Sequence, residues 1–259
     1  MDLGIAGRKA IVCGASAGLG LGVAKALAAD AVTLTLVARG EERLRAAAQG
    51  IARGARADVT CVAADVTTDE GRDKVLGACP SPDILINNAG GPPAGDFRTF
   101  TREDWMKALE GNMLSAIFLI QATIDGMIAR KFGRVINITS YMVKSPGPSM
   151  GMSNGARAGL TGFIGGLARE VAGHNVTLNN VLPGQFYTDR LKALQARGAE
   201  TSGRSVEEVK AAALRQIPAG RFGEPDEFGA ACAFLCSAKA GFITGQNLLV
   251  DGGQFPGLL

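Results

Sequence analysis

The stretch Gly14-Ala15-Ser16-Ala17-Gly18-Leu19-Gly20 gives the strongest indication of the fold of this 259-residue chain. It follows a short apolar run and opens an alanine-rich segment with helical spacing. Glycines at this spacing let the backbone turn sharply, approach a pyrophosphate closely and pack a helix against a strand. The helix N-terminus then presents N–H donors to phosphate. We therefore predict a dinucleotide-binding turn, with a glycine-rich turn that binds no ligand as the alternative. The predicted phosphate contacts are Gly14, Ser16, Ala17, Gly18, Leu19 and Gly20.

The tip of the next apolar run indicates which dinucleotide this turn would bind. The run ends in Val37-Ala38-Arg39-Gly40-Glu41. A carboxylate at this place contacts the ribose hydroxyls of NAD, whereas an arginine accommodates the 2′-phosphate of NADP. Arg39 therefore favours NADP as the cofactor, with NAD still possible. The alternative is that Arg39 is a solvated surface residue.

Beyond these two sites, short β-branched runs alternate along the chain with longer segments of i, i+3, i+4 apolar spacing. This alternation is typical of parallel strands joined by right-handed helical crossovers, and nearly continuous apolar strands indicate a sheet covered on both faces. We predict a doubly wound α/β Rossmann fold, with a seven-stranded parallel sheet between helices. The predicted strands are 8–13, 32–37, 58–63, 83–87, 134–138, 177–182 and 247–250, and the helices begin near Gly18, Glu41, Asp69, Arg102, Ser153 and Glu224.

One segment interrupts the alternation. No linker or low-complexity tract divides the chain, so residues 1–259 are interpreted as one dinucleotide-binding domain. Residues 184–224, however, form a connection far longer than the usual loop. They contain Ser205-Val206-Glu207-Glu208, which is typical of a capped helix start. We predict that this insertion is a lid over the substrate.

Composition excludes several classes of protein. With 47% hydrophobic and 20% charged residues the chain is too apolar to be disordered, and no apolar run reaches the ~18 residues that span a membrane. The net charge of +3 is dispersed, which disfavours a nucleic-acid partner. The start of the chain lacks the pattern of an export signal, so a cytoplasmic location is expected. We expect no metal site, because Cys232 and Cys236 share a helix face but one histidine in the whole chain offers few further ligands.

Several further motifs follow in a fixed order: Asp65 after the third strand, Asn87-Asn88-Ala89-Gly90 after the fourth, Asn112 in a long helix, Ser140 after the fifth, Pro183-Gly184 after the sixth, and Asp251-Gly252-Gly253 near the end. In this order the chain resembles the short-chain dehydrogenase/reductase family over nearly its whole length, and is most similar to 3-oxoacyl-(acyl carrier protein) reductase-like members. The resemblance implies the strand order 3-2-1-4-5-6-7. It also implies cofactor contacts from Asp65, Val66, Asn88, Ala89, Gly90, Arg157, Pro183, Gly184 and Thr188.

The sequence departs from that family at its catalytic Tyr-x-x-x-Lys motif. Thirteen residues after the active-site serine, Ser140, the chain has Ser153-Asn154-Gly155-Ala156-Arg157. A serine hydroxyl is much less acidic than a tyrosine phenol, and arginine does not release a proton as lysine does. Tyr141 is a substitute donor only if the chain has left the strand, since neighbouring strand residues face opposite ways; otherwise it lines or packs the site. The candidate catalytic residues are Asn112, Ser140, Ser153, Arg157 and Tyr141.

Three functions remain open at this stage. The first is an NADP(H)-dependent oxidoreductase that acts on a small carbonyl or alcohol substrate, similar to a 3-oxoacyl reductase. The second is a catalytically impaired protein of the same fold that binds NADP(H) or another small ligand. The third is a different reaction, such as lactone or imine chemistry, in which Arg157 binds rather than relays a proton. The glycines between residues 155 and 166, together with the resemblance, predict a helix-to-helix dimer face and a homo-oligomer, either a dimer or a tetramer.

Overall fold

The computed structural model describes residues 2–54 and 57–257, and its centre is one parallel sheet of seven strands. The strand order is β3-β2-β1-β4-β5-β6-β7, which confirms the order that the family resemblance implies. Each strand begins and ends within one residue of its predicted limits. The strands are β1 (Lys9–Cys13), β2 (Thr33–Ala38), β3 (Val59–Ala63), β4 (Ile84–Asn87), β5 (Gly133–Ile138), β6 (Val176–Pro183) and β7 (Asn247–Val250).

Nine α-helices are present in the described part of the chain, and seven of them begin close to the predicted positions, including the capped start at Ser205. The helix that begins at Asp189 has no counterpart among the predictions. A five-residue π-helical turn joins the fourth and fifth helices. The helices are α1 (Gly18–Ala29), α2 (Glu41–Ala52), α3 (Asp69–Ala78), α4 (Arg102–Leu109), α5 (Ser115–Ala129), α6 (Gly151–Val171), α7 (Asp189–Ser202), α8 (Val206–Leu214) and α9 (Pro225–Cys236).

Helices cover both faces of the sheet, as predicted. Ala10 and Val12 of β1 belong to a core cluster with residues of α1, α2 and α9. Ile11 and Cys13 of the same strand point to the other face, into a cluster with α3, α5 and α6. Because successive strand residues alternate in direction, a strand that is apolar at every position must be buried on both sides. This is the physical reason why the strands could be predicted from sequence.

The helical stretch Arg102–Ala129 is long and apolar enough by composition to cross a membrane. Such a stretch is weak support for a membrane span, because core helices of soluble folds share its length and composition. In this structure Leu119, Ile120 and Met127 of the stretch are buried in the core cluster beside α6. Its apolar face is therefore used to cover the sheet.

The long insertion forms a closed unit with two helices. Its two ends meet where the Tyr187 N–H donates to the carbonyl of Gly223 at 2.8 Å and the Gly223 N–H donates to that of Gln185 at 3.0 Å. The predicted helix start is confirmed, since Ser205 and Glu208 form a reciprocal capping box at α8. A small apolar cluster, Leu191, Ile217 and Phe222, holds the insertion together.

Helices α1 and α9 cross in backbone contact, which only glycine permits. A Cβ at Gly22 would lie 2.2 Å from the carbonyl oxygen of Pro225, and a Cβ at Gly229 would lie 2.3 Å from that of Gly22. Both distances are far below van der Waals contact, so any side chain must push the helices apart. The second glycine of this pair has no recognisable signal in the sequence.

We expect Gly22→Ala to lower the free energy of unfolding by about 2–3 kcal/mol, because overpacking against backbone atoms cannot be relieved by a rotamer change. Urea unfolding monitored by circular dichroism measures the change. Gly50→Ala is the matched control, since nothing lies within 4 Å of a Cβ at this position of α2. The control is expected to gain about 0.5–1 kcal/mol from helix propensity. Equal effects of the two substitutions would contradict the close helix contact.

Candidate active site

The glycine-rich turn between β1 and α1 has the geometry of a phosphate cradle. Gly14 and Gly18 have φ values of +61° and +56°, in the left-handed region that favours glycine. A Cβ at Gly20 would lie 2.3 Å from the carbonyl oxygen of Gly14. The helix begins at Gly18 without a side-chain cap, so its first N–H groups remain available to a ligand. The turn therefore fits a pyrophosphate, as the sequence indicates.

A cleft of about 910 Å³ runs along the carboxyl ends of the strands beside this turn. Its volume lies in the range of small-molecule and cofactor sites. The predicted site residues that line it are Gly14, Ser16, Arg39, Asp65, Val66, Asn88, Ala89, Gly90 and Asn112. The sheet order places this edge where the crossovers from β1 and β4 diverge to opposite sides, which is where ligands bind in doubly wound folds.

Arg39 and Asp65 stand close together at one end of the cleft. Asp65 accepts hydrogen bonds from the backbone N–H of Thr67 at 3.0 Å and from its hydroxyl at 2.8 Å. Burial alone would raise the pKa of Asp65, but these bonds and nearby Arg39 lower it below its usual value. The carboxylate is thereby fixed as a charged acceptor.

A second arginine, which the sequence analysis did not identify, lines the same end of the cleft. Arg43 lies one helical turn after Arg39, at the start of α2, and contacts Asp189 at the start of α7. The i, i+4 spacing from Arg39 was the available signal. The pair joins this end of the cleft to the insertion.

Asn112 lies in the π-helical turn Glu110–Leu114, whose residues Glu110, Gly111 and Asn112 line the cleft. Its Nδ2 donates to the carbonyl oxygens of Ala108 at 3.3 Å and Gly90 at 3.4 Å. Its Oδ1 is buried and has no hydrogen-bond partner within the described residues. A buried acceptor of this kind is available to a bound group.

Arg157 of α6 is more than nine-tenths buried and caps the end of β5. Its Nη1 donates to the carbonyl oxygens of Ile138 at 2.8 Å and Thr139 at 2.9 Å. Burial, and then the nearby charge of Arg190, lower the pKa of Arg157 to about 10. Arg157 therefore remains cationic at neutral pH.

Arg157 and Asn112 share a second, much smaller cavity. This cavity of about 20 Å³ is also lined by Asn87 and Ser115. Its volume suits one water molecule, and its lining offers both donors and acceptors. The structure thus brings Asn112 and Arg157 together.

Ser140 and Ser153 lie on either side of the segment that links β5 to α6. Ser140 caps a short 3₁₀ turn, and its Oγ accepts from the N–H of Met142 at 3.2 Å. Ser153 is buried in the first turn of α6, one turn before Arg157. Both serines are therefore held by local structure, and their catalytic roles remain predictions.

Tyr141 follows the end of β5 in a 3₁₀ turn, so the chain has left the strand, which was the condition for a catalytic role. Its half-buried side chain nevertheless lies near Asp251 and Gln254 of the C-terminal segment. Burial and then the charge of Asp251 raise the pKa of Tyr141, while the nearby Gln254 side chain lowers it. A raised pKa makes the phenol a weaker acid. These contacts favour the packing alternative over proton donation.

The end of β6 contributes the remaining predicted cofactor contacts. Pro183 ends β6 in register with Val250, and a Cβ at Gly184 would lie 2.7 Å from Asp251, so both residues pack against the C-terminal segment. Thr188 caps α7 and lies over the phosphate turn, its Cγ2 being 3.4 Å from a Cβ built at Gly18. Thr188 therefore borders the cradle.

Comparisons with known proteins agree with this fold and with the family resemblance. A family profile described as Enoyl-(Acyl carrier protein) reductase matches residues 14–254. The 3-oxoacyl-[acyl-carrier-protein] reductase of Vibrio cholerae serotype O1 is 34% identical over 257 residues, which cover 98% of this chain and 99% of that protein. The structure of L-sorbose reductase from Gluconobacter frateurii, complexed with NADPH and L-sorbose, has a TM-score of 0.93 at 31% identity and covers both chains fully. A 3-oxoacyl (acyl-carrier-protein) reductase from Agrobacterium tumefaciens C58 with NADP bound has a TM-score of 0.85 at 28% identity, covering 97% of this chain and 95% of that one.

Proposed function

The chain belongs to the short-chain dehydrogenase/reductase family, and we propose that it is an NADP(H)-dependent oxidoreductase acting on a small carbonyl or alcohol substrate. The observation that carries this proposal is the cleft itself, which joins a phosphate cradle to the end that holds Arg39 and Asp65. The similarity to reductases solved with NADPH or NADP supports the choice of cofactor.

Different residues of the cleft would bind different parts of NADPH. The turn at Gly14 and the first N–H groups of α1 would bind the pyrophosphate. Arg39, with Arg43 beside it, would bind the 2′-phosphate, because a guanidinium pairs with phosphate in a forked, charge-assisted geometry. Asp65 would accept a hydrogen bond from the adenine, as the family resemblance implies. When bound, NADPH supplies a hydride.

The remaining requirement for carbonyl reduction is a proton at the carbonyl oxygen. Ser153 stands at the position of the family's tyrosine, and its hydroxyl is a poor acid at neutral pH. Arg157 stands at the position of the lysine and keeps its charge, so it would orient the bound groups rather than release a proton. Water that reaches the site beside Asn112 would then supply the proton, which predicts slow turnover.

The experiment that tests this proposal is cofactor oxidation by the purified protein with a panel of β-ketoacyl thioesters, ketones and quinones. Slow but measurable NADPH consumption with a carbonyl member of the panel is the expected result. Tight NADPH binding with no consumption across the panel would instead favour a protein that only binds the cofactor. That second candidate is favoured by one observation, the replacement of both residues of the proton-donating motif.

We expect Arg39→Ala to weaken NADPH binding roughly tenfold to a hundredfold, because it removes a charge-assisted contact with the 2′-phosphate. NADH binding should hardly change, since NADH lacks this phosphate. Isothermal titration calorimetry with both cofactors measures the difference. Arg45→Ala is the matched control, because Arg45 lies on the exposed side of α2 in a pair with Glu41. An equal loss for the two cofactors would overturn the assignment of Arg39.

We also propose that the protein forms a homo-oligomer through α5 and α6. Gly162, Gly165 and Gly166 of α6 have open space where a Cβ would lie, and Phe118 of α5 and Phe163 of α6 are exposed. Small residues flanked by exposed aromatic rings allow close approach of a second helix pair. Sedimentation velocity of the purified protein distinguishes monomer, dimer and tetramer.

A further inference from the structure

Two cationic groups converge at one edge of the active-site cleft. A Cβ built at Gly91 would lie 3.4 Å from Nη2 of Arg190 and 3.7 Å from Nη2 of Arg157. Because both Nη2 atoms lie this close to the same Cβ position, the distance between them cannot exceed the sum of the two distances. Gly91 stands between Gly90 and Pro92, which both line the cleft. The two guanidinium groups therefore share one patch, with Arg157 behind it and the exposed Arg190 at its rim.

Neither guanidinium has a carboxylate within 4.0 Å in the described part of the chain. Arg157 donates through Nη1 to two backbone carbonyls, and Arg190 donates through Nη2 to the carbonyl oxygen of Pro92 at 3.0 Å. These partners are neutral. Asp189, the neighbour of Arg190 in sequence, contacts Arg43. The patch thus contains two cations and no fixed anion to balance them.

This arrangement is electrostatically unfavourable unless an anion is bound between the two groups. A buried cation costs free energy unless it is paired, and a second cation beside it adds repulsion. The lowered pKa of Arg157 reflects both effects. Capping two carbonyls uses only one of the guanidinium's nitrogens, which leaves N–H donors on Arg157 free for another partner. An oxyanion between the two groups would satisfy those donors and remove the repulsion.

The phosphates of the cofactor have donors elsewhere. The turn at Gly14–Gly20 and the start of α1 take the pyrophosphate, and Arg39 takes the 2′-phosphate in the proposed binding mode. Arg157 lies beside Asn112 in the small polar cavity described above, at the position where the family places its proton-relaying lysine. An anion at this patch is therefore expected to belong to the substrate.

We propose that Arg157 and Arg190 form a binding site for a carboxylate on the substrate, so that the natural substrate is an oxo acid or hydroxy acid. This inference rests on the proposed oxidoreductase function, which it makes more specific. It also gives a reason for arginine at position 157: a forked cation can bind a carboxylate and the β5 carbonyls at the same time.

The test compares binding of 3-oxooctanoate and its methyl ester to the protein saturated with NADP⁺, which cannot reduce either compound. By isothermal titration calorimetry the acid should bind at least tenfold more tightly than the ester, as expected for one charge-assisted contact. Arg190→Gln should bring the two affinities to within about twofold. Arg197→Gln, an exposed change on the same helix, should leave the preference intact.

Three results would overturn the inference: equal or absent binding of acid and ester, a preference that survives Arg190→Gln, or a loss of NADP⁺ affinity in Arg190→Gln with the acid preference unchanged. The last result would assign the patch to a cofactor phosphate. Turnover of both compounds with NADPH is measured separately. A protein that prefers the acid but consumes no NADPH with it or with any member of the panel would refute the proposed activity and support the carboxylate site.

Discussion

The double variant Ser153→Tyr/Arg157→Lys is expected to reduce carbonyl substrates about 10²–10⁴ times faster than the parent protein, because a positioned general acid contributes a factor of this size. The two substitutions restore a phenol and an ammonium group at adjacent turns of α6. The ammonium would lower the phenol's pKa toward neutrality, which a serine hydroxyl cannot match. Steady-state NADPH oxidation with the best substrate of the panel measures the gain in kcat.

Two single variants separate the contributions to this gain. Ser153→Tyr alone should recover part of the rate, since Arg157 keeps a positive charge nearby. Arg157→Lys alone should recover none, because no acid is added. A double variant that folds and binds NADPH as the parent does, yet shows no increase in kcat, would show that these positions do not limit the reaction.

The proposed carboxylate site needs arginine at position 157, whereas the double variant that restores the catalytic motif places lysine there. Lysine has three donors on one nitrogen, whereas arginine has five in a planar fork. Arg157 already places one nitrogen against the carbonyls of Ile138 and Thr139. An ammonium group placed there would have few N–H donors left for a substrate anion. The double variant should therefore gain rate on neutral ketones more than on oxo acids.

Most of the sheet could be predicted because each strand carries its own signal. After Lys9, β1 is buried on both faces and is an apolar run, and β4 is apolar and buried as far as Ile86. The phosphate turn could be predicted equally well, because its glycines are required by local backbone geometry. Arg39 could be assigned to the cleft because it immediately follows β2. Local pattern therefore sufficed wherever local geometry determines the structure.

Features that depend on contacts between distant segments could not be predicted from local sequence pattern. The π-helical turn at Asn112 is a packing outcome of α4 and α5 with no residue pattern of its own. The meeting of Arg157 with Arg190 joins α6 to the insertion, and the insertion's path was unknown. The contact between Gly22 and Pro225 likewise joins helices more than 200 residues apart. The proximity of Tyr141 to Gln254 also needs the position of the C-terminal segment.

A row of four asparagine amides, three of them buried, crosses four strands and is another such feature. Asn87 donates to the Oδ1 of Asn137 at 2.9 Å, Asn137 to that of Asn180 at 3.2 Å, and Asn180 to that of Asn247 at 2.8 Å. The four residues are direct partners in the registers of β4, β5, β6 and β7. A shift of one residue in any strand would point its amide to the opposite face. The row therefore selects the register of this half of the sheet.

Asn137→Leu is expected to lower the free energy of unfolding by about 2–5 kcal/mol. Asn137 is fully buried, and its loss leaves the Nδ2 of Asn87 and the Oδ1 of Asn180 without partners, at roughly 1–3 kcal/mol for each buried group. Leucine has a similar volume, so little of the loss comes from a cavity. Chemical denaturation in urea, with an unchanged m-value, measures the effect.

Asn247→Leu is the matched control, because Asn247 lies at the end of the row, is only partly buried and takes part in one of its three bonds. Its cost should be about 1–3 kcal/mol, because only one buried donor, the Nδ2 of Asn180, loses its partner. If Asn137→Leu cost no more than this control, the amide row would add nothing to stability beyond its individual bonds. The predicted difference depends on how many buried groups lose a partner, two for Asn137→Leu and one for Asn247→Leu.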